Sequence, residues 1–264
     1  MNYRIDEDKC IGCADCARSC LVGVPVIKEG KALFDPKAVC YCIECGHCIS
    51  ICQQGAISVT GRTEDREVST KEALSGLASF LRSRRSVRHF HPESLSSDMI
   101  EEGIQIAQYA PCSANGHKVH WVVLTGKDKV DRLCQMIRSH YRRTGSHPEI
   151  EEIFARGKNF LTLDAPNMVL TYHDAGAFCP EADCIIAMTT ADLYWNKKGI
   201  GTCWAGFVME SANENPEIRA FLKIPDDKHI YGAIALGNPD EPPYPYIPER
   251  PKAVIDWLKP ESLI

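Results

Sequence analysis

Cys10-Ile11-Gly12-Cys13-Ala14-Asp15-Cys16-Ala17-Arg18-Ser19-Cys20 and Cys42-Ile43-Glu44-Cys45-Gly46-His47-Cys48-Ile49-Ser50-Ile51-Cys52 decide how the N-terminal part of this chain folds. Each stretch spaces its cysteines as C-x2-C-x2-C-x3-C, and the second repeats the first 32 residues later. Short CxxC loops let thiolates converge on one face of an iron centre, and this spacing is the one [4Fe-4S] ligation uses. Zinc takes two CxxC pairs or mixed cysteine and histidine sets rather than a triple repeat. A disulfide framework belongs to oxidising compartments. The spacing therefore favours iron–sulfur over both.

The duplicated pattern resembles a two-cluster bacterial-type ferredoxin, in which the fourth cysteine of each run reaches the other cluster. The resemblance implies one [4Fe-4S] centre on Cys10, Cys13, Cys16 and Cys52, and a second on Cys42, Cys45, Cys48 and Cys20. Apolar residues around them are sparse, chiefly Ile5, Ile11, Val22, Val26, Ile27, Leu33, Phe34, Ile43, Ile49, Ile51, Ile57 and Val59. So small a core needs the metal centres for folding. Leu21 and Gln53 stand where the ferredoxin pattern has proline. Cys40 lies outside the spacing and is expected to pack as a small apolar side chain.

The 264 residues are 44% apolar and 25% charged, with a formal net charge of -5. That balance gives no reason to expect nucleic acid or an anionic membrane as partner. The charged start, MNYRIDEDKC, lacks the apolar stretch of a secretory signal, and no run of about 18 apolar residues occurs. A cytoplasmic protein is expected.

Three parts are expected: a ferredoxin-like domain over 1–60, a polar linker over 61–75, and a larger domain over 76–264. Leu74, Leu77, Phe80 and Leu81 are spaced to pack one face of a helix. Asp98 with Glu101 resembles a capping box opening a helix that runs to about Tyr109. Strands are expected at 121–124, 167–172 and 230–236. Helices are expected around Val130 to Ile137, from His147-Pro148, at 217–222, and over 181–198. The last is apolar on most sides, as an interior helix would be. Strands and helices interleave, which predicts mixed α and β structure.

Arg84-Arg85-Ser86-Val87-Arg88-His89-Phe90 is a candidate phosphate site, because guanidinium forks and a hydroxyl can share phosphate oxygens. A solvated basic helix end would look the same. The stretch also resembles the RRSxRxF opening of the FMN-dependent nitroreductase family. Ala110-Pro111-Cys112-Ser113-Ala114-Asn115-Gly116-His117 is similar to that family's A-P-S-x-x-N-x-Q segment. Gly199 to Phe207 resembles its glycine-rich turn, and Ala235-Leu236-Gly237-Asn238-Pro239 with Arg250-Pro251 its final strand and basic tail.

The resemblance implies an α+β fold: a three-layer nitroreductase-like (FMN-dependent) domain carrying a small N-terminal ferredoxin-like di-cluster domain. It implies a homodimer with FMN at the subunit interface. Arg84, Arg85, Ser86 and Arg88, with Arg250 from the tail, would grip the FMN phosphate and ribityl chain. Asn115 would hydrogen-bond the flavin edge, and backbone amides near Ala205 and Gly206 would face the flavin's reactive side. His117 stands where the family prefers glutamine, Lys118-Val119 replaces Pro-Trp, and Cys112 follows the proline, so substrate choice does not transfer. His117 is expected to hydrogen-bond rather than to donate a proton. Cys134 and Cys184 are expected in the core, and Cys112, Cys179 and Cys203 show no ligand spacing.

The expected function is that of an iron–sulfur flavoprotein oxidoreductase. It would pass electrons between [4Fe-4S] clusters and FMN to reduce a small organic acceptor such as a nitro-aromatic or quinone, with ferredoxin or NAD(P)H as donor. The alternatives are an electron-transfer module of a larger redox enzyme, and another flavin chemistry on the same fold, such as dehalogenation or flavin fragmentation. Zinc-stabilised nucleic-acid binding is a third, and it predicts a colourless protein.

Overall fold

The computed structural model describes residues 3–42, 45–59, 67–68 and 76–257. Ile43, Glu44, Leu74, residues 258–264 and the expected linker other than Glu67 and Val68 lie outside the described residues.

The N-terminal part runs β1 (Tyr3–Ile5), α1 (Asp15–Ser19), β2 (Pro25–Lys28), β3 (Lys31–Phe34), α2 (His47–Ile51) and β4 (Ile57–Val59). β1 pairs antiparallel with β4, and β2 with β3. The β2–β3 turn is Glu29-Gly30, both at positive φ (52° and 76°), as a tight hairpin of the right-handed twist requires. The sequence repeat is also a structural one. α1 and α2 follow equivalent cysteines, and each is entered through a left-handed residue, Ala14 or Gly46. The apolar cluster is small: Cys10, Cys16, Ala32, Ala56 and Ile57, with a few half-buried neighbours.

The second part contains β5 (Glu67–Val68), α3 (Leu77–Ser83), α4 (Ser97–Ala107), β6 (His120–Thr125), α5 (Lys127–Thr144), α6 (Glu149–Ala155) and β7 (Asn167–Asp174). It continues with α7 (Pro180–Lys197), β8 (Gly201–Trp204), α8 (Gly206–Glu214), α9 (Pro216–Phe221), β9 (Lys228–Gly237) and β10 (Tyr246–Ile247). A fully antiparallel sheet has the order β6-β7-β9-β8. Its central strands are buried on both faces, and successive side chains alternate between two cores. Met168, Leu170, Ala233 and Ala235 pack with α5 and α8, through Leu133, Ile137 and Val208. Val169, Ile234 and Leu236 pack with α4 and α7, through Ile100, Ala187, Met188 and Trp195. The result is three layers, helix–sheet–helix.

Several local expectations differ from what is found. Ser96 caps α4, its Oγ accepting from the Met99 N–H at 3.3 Å, so the capping residue lies two positions before Asp98. The segment around Gly201, read as a turn, is the edge strand β8. Leu77 and Leu81 are exposed rather than packed. The chain beyond α3 is drawn to β8 by the bond from the Val87 N–H to the Thr202 carbonyl at 2.9 Å, which leaves α3 at the margin. Glu67 and Val68, inside the expected linker, pair with Ile247 and Tyr246.

The two parts are docked rather than tethered. Arg18 reaches the Asp240 carboxylate at 2.6 Å, and Lys158 donates to the Ala17 carbonyl at 2.9 Å. The Gln53 amide donates to the Pro243 carbonyl at 2.9 Å, and the Tyr41 hydroxyl to Glu152 at 2.5 Å. Leu21 and Val22 pack on the core of the larger part.

Candidate functional site

The thiols fall into two groups. Cys10, Cys13, Cys16 and Cys52 wall one apolar recess, together with Ile27, Ala32 and Ile57. Cys48 lies among Cys20, Cys45 and Cys42, with Cys16 also near. Burial, then the neighbouring Cys52, pushes the Cys16 thiol up to about 12, and burial with Cys20 alongside pushes Cys48 upward. Thiols so desolvated are inert as thiols, whereas a metal would deprotonate them outright. Backbone amides already point at the sulfurs: Ala32 to Cys10 at 3.4 Å, Val24 to Cys20 at 3.3 Å and Ala56 to Cys52 at 3.2 Å. Gly12 is required for the first loop. It sits at φ 71°, and a Cβ there would stand 2.1 Å from the Gly30 carbonyl oxygen. Recess, donors and sulfurs together fit a cluster. Cys40 is exposed, its sulfur 3.5 Å from the Lys37 carbonyl, so the packing expectation for it does not hold.

The arginine segment lies directly against the second group. The Nη1 of Arg88 donates to the Cys45 sulfur at 3.5 Å and to the Ser19 carbonyl at 3.4 Å. His47 Nε2 donates to the Ser86 carbonyl at 2.7 Å, and the Arg250 Nη1 to the Cys45 carbonyl at 3.2 Å. Arg85 is buried. Its Nη1 caps the carbonyls of Arg82 and Arg84, while Nε and Nη2 have no partner among the described residues. Burial, with Arg250 and Arg84 alongside, lowers its pKa to about 10. Arg84 lies 3.8 Å from Asp192, a buried carboxylate on α7 that also accepts from Thr202 and from Asn196. A buried guanidinium with two idle donor nitrogens among like charges fits a phosphate, which would satisfy the donors and offset the charge.

Ala205 and Gly206 lie at the end of β8, beside this segment. The Ala205 N–H is spent on the Ala233 carbonyl at 2.9 Å, continuing the β8–β9 pairing, so of these two amides Gly206, on the exposed start of α8, lies outside that pairing. Asn115 and His117 are both exposed and bond to each other, the His117 Nε2 donating to the Asn115 Oδ1 at 2.9 Å. Their loop is strained, with Ala114, Asn115 and His117 at φ 50°, 53° and 48°. It is anchored by Ser113, whose N–H and hydroxyl donate to Asp183 of α7 at 2.7 and 2.9 Å. The Cys112 sulfur accepts from the His117 N–H at 3.3 Å. Cys134 and Cys184 are core residues, as expected, Cys179 is exposed and Cys203 is buried.

Four contributors were not foreseen: His47, Asp192, Glu241 and Tyr244. Glu241 accepts from the Arg88 N–H at 3.1 Å and from the Tyr244 hydroxyl. His47 alone had a sequence signal, its place inside the second cysteine run.

A three-layer α+β domain with an arginine anion cradle, carrying a cysteine-walled unit docked beside that cradle, defines a redox class of protein. The chain belongs to the nitroreductase family, whose model matches residues 81–238, and residues 4–25 match a 4Fe-4S binding domain. It is 22% identical over 161 residues to an Archaeoglobus fulgidus protein named "Putative NADH dehydrogenase/NAD(P)H nitroreductase", covering 60% of this chain and 82% of that one. It is 31% identical over 65 residues to an uncharacterized protein of Methanocaldococcus jannaschii, covering 25% of this chain. The chain spans about a quarter of that relative, 24% of its length. A nitroreductase with bound FMN from Desulfitobacterium hafniense has a TM-score of 0.59 at 21% identity, over 72% of this chain and 100% of that one. Another with bound FMN, from Bacteroides fragilis, has a TM-score of 0.53 at 21% identity, over 74% and 98%. At such identities the likeness is one of fold. No helix among the described residues is long and apolar enough to cross a membrane.

Proposed function

We propose that this protein is a cytoplasmic, homodimeric FMN-dependent oxidoreductase that couples two [4Fe-4S] clusters to the reduction of a small organic acceptor such as a nitro-aromatic or quinone. The observation that carries the proposal is contiguity. Cys45 and His47 of the second cysteine run touch Arg88 and Ser86 of the candidate phosphate segment within one chain. When bound, the clusters would supply single electrons, and FMN would supply the one- or two-electron chemistry.

The chain's own residues hold, orient and shield. Arg85 would bind the FMN phosphate through its idle Nε and Nη2, with Arg84 and Arg250 adding charge. Asp192 fixes Arg84, and Val87 keeps the segment on β8. The Gly206 amide would face the flavin, and Asn115, braced by His117, its edge. Cys10, Cys13, Cys16 and Cys52 would hold one cluster, and Cys20, Cys42, Cys45 and Cys48 the other.

Stopped-flow mixing tests the coupling. Reduced ferredoxin should bleach the flavin absorbance of the purified protein through the iron–sulfur bands. Rapid bleaching by NAD(P)H, with no response to reduced ferredoxin, would overturn this direction of flow.

A further inference from the structure

Arg88 commits its Nη1 to the cysteine-bearing unit, while its buried Nε has no partner among the described residues. It is 8% exposed, and its Nη1 donates to two atoms of the cysteine-bearing unit, the Ser19 carbonyl and the Cys45 sulfur. Its backbone is held separately. The Arg88 N–H donates to Glu241, and the preceding Val87 N–H to the Thr202 carbonyl. The side chain is thus aimed by the fold at a sulfur of the second thiol group.

The first group has no guanidinium on its sulfurs among the described residues, and its nearest cation, the Lys31 ammonium, bonds the Cys10 carbonyl at 2.6 Å rather than a sulfur. Asp15 lines its recess beside Cys13, and its sulfur donors are the backbone amides of Ala32 and Ala56. An N–H donor and a buried cation at a ligand sulfur favour the more negative, reduced state, while a carboxylate disfavours it. Hydrogen bonds to sulfur and local charge are both known determinants of cluster potential.

We infer that Arg88 raises the reduction potential of the centre held by Cys45, biasing electrons toward the arginine segment. This rests on the two-cluster reading proposed above. It assigns Arg88 a positioning role at the cluster through Nη1, a role the family resemblance does not imply.

The test is an EPR-monitored redox titration of the anaerobically purified holoprotein, as wild type, R88M and R88Q, with iron and FMN contents measured on the same samples. In R88M one of two reduction waves should move to lower potential. The oxidised-to-reduced ratio at fixed poise should change at least tenfold, 59 mV for a one-electron couple. The other wave and the FMN content should hold. R88Q, which keeps an N–H donor without the charge, should move the same wave by less. Coincident waves in R88M and wild type, equal movement of both waves, or loss of FMN with unmoved waves would each overturn the inference. If R88M loses the second centre, R88Q is judged by the same criteria. A wild-type iron content of one cluster or none overturns the two-cluster reading as well, and is visible before any variant is compared.

Discussion

The Nε2–H of His47 donates to the backbone carbonyl of Ser86 at 2.7 Å, joining the middle of the second cysteine run to the middle of the arginine segment. Burial, and then the charge on nearby Arg88, pushes the His47 pKa down to about 3, so the ring is a neutral donor at ordinary pH. An edge-on contact with Tyr244, ring centroids 5.7 Å apart, holds its plane. The second cysteine run and the arginine segment are therefore joined in one hydrogen-bonded unit.

His47→Leu keeps much of the volume but leaves the Ser86 carbonyl unpaired. The variant should be less stable by about 1–3 kcal/mol, the cost of a buried polar group left without its partner. The urea midpoint measures this. A midpoint equal to that of wild type would mean that the bond contributes nothing to holding the two parts together.

Arg85→Met should have effects of opposite sign with and without FMN. A hydrogen-bonded charge is worth about 1.5–3 kcal/mol, so the variant's FMN affinity should fall roughly ten- to a hundredfold. The FMN-free form should become more stable, because a buried guanidinium beside Arg84 and Arg250 is replaced by an apolar chain. Flavin fluorescence titration and thermal unfolding of the FMN-free protein give the two readouts. An apo form that is destabilised would show that Arg85 is structural.

Periodic features were legible in the sequence, and long-range ones were not. The cysteine spacing and the apolar runs of β7 and β9 are local patterns that force their own geometry, whereas the all-round apolar α7 is not the interior helix expected: it buries Cys184, Met188 and Trp195 but exposes Ile185 and Ile186. Gly201-Thr202-Cys203-Trp204 misled because glycine reads as a turn. Here its missing side chain lets Val87 approach, since a Cβ on Gly201 would stand 2.8 Å from the Val87 side chain. The docking of the two parts depends on pairs such as Arg18 with Asp240, 222 residues apart, which no window along the chain can bring together. The same holds for the contact of Arg88 with Cys45, 43 residues upstream, which no local pattern announces.

Gly103 on α4 should not tolerate alanine. A Cβ there would stand 2.1 Å from the indole nitrogen of Trp195, which is fully buried and donates to the Met99 carbonyl at 3.2 Å. The ring has no room to move, so α4 must lift from α7. Gly103→Ala should lose about 1–3 kcal/mol, the usual cost of overpacking a core, despite alanine's better helix propensity. Trp195 is one of four tryptophans, so a shift in near-UV circular dichroism should accompany the lower midpoint. Stability at or above wild type would mean that the helices are not so closely apposed.

Glu151 sets an acid-dependent increment of stability on the outer helices. Its carboxylate takes two bonds from Arg138 at 2.7 Å and another from Arg142 at 2.7 Å. Arg138, then Arg142, hold its pKa at about 2 against an ordinary 4.5. Because the folded-state value is lowered, the unfolded chain binds the proton first. The contribution is whole above pH 4.5 and is lost as the pH falls toward 2. Glu151 and both arginines are substantially exposed, so solvent screening limits the gain to about 1 kcal/mol or less. Glu151→Gln should be less stable than wild type at pH 6 by that amount, with the gap closing toward pH 3 and shrinking in high salt. Comparing the two proteins at each pH cancels any acid lability they share. A gap that persists unchanged at pH 3 would mean that the glutamate acts through packing rather than charge.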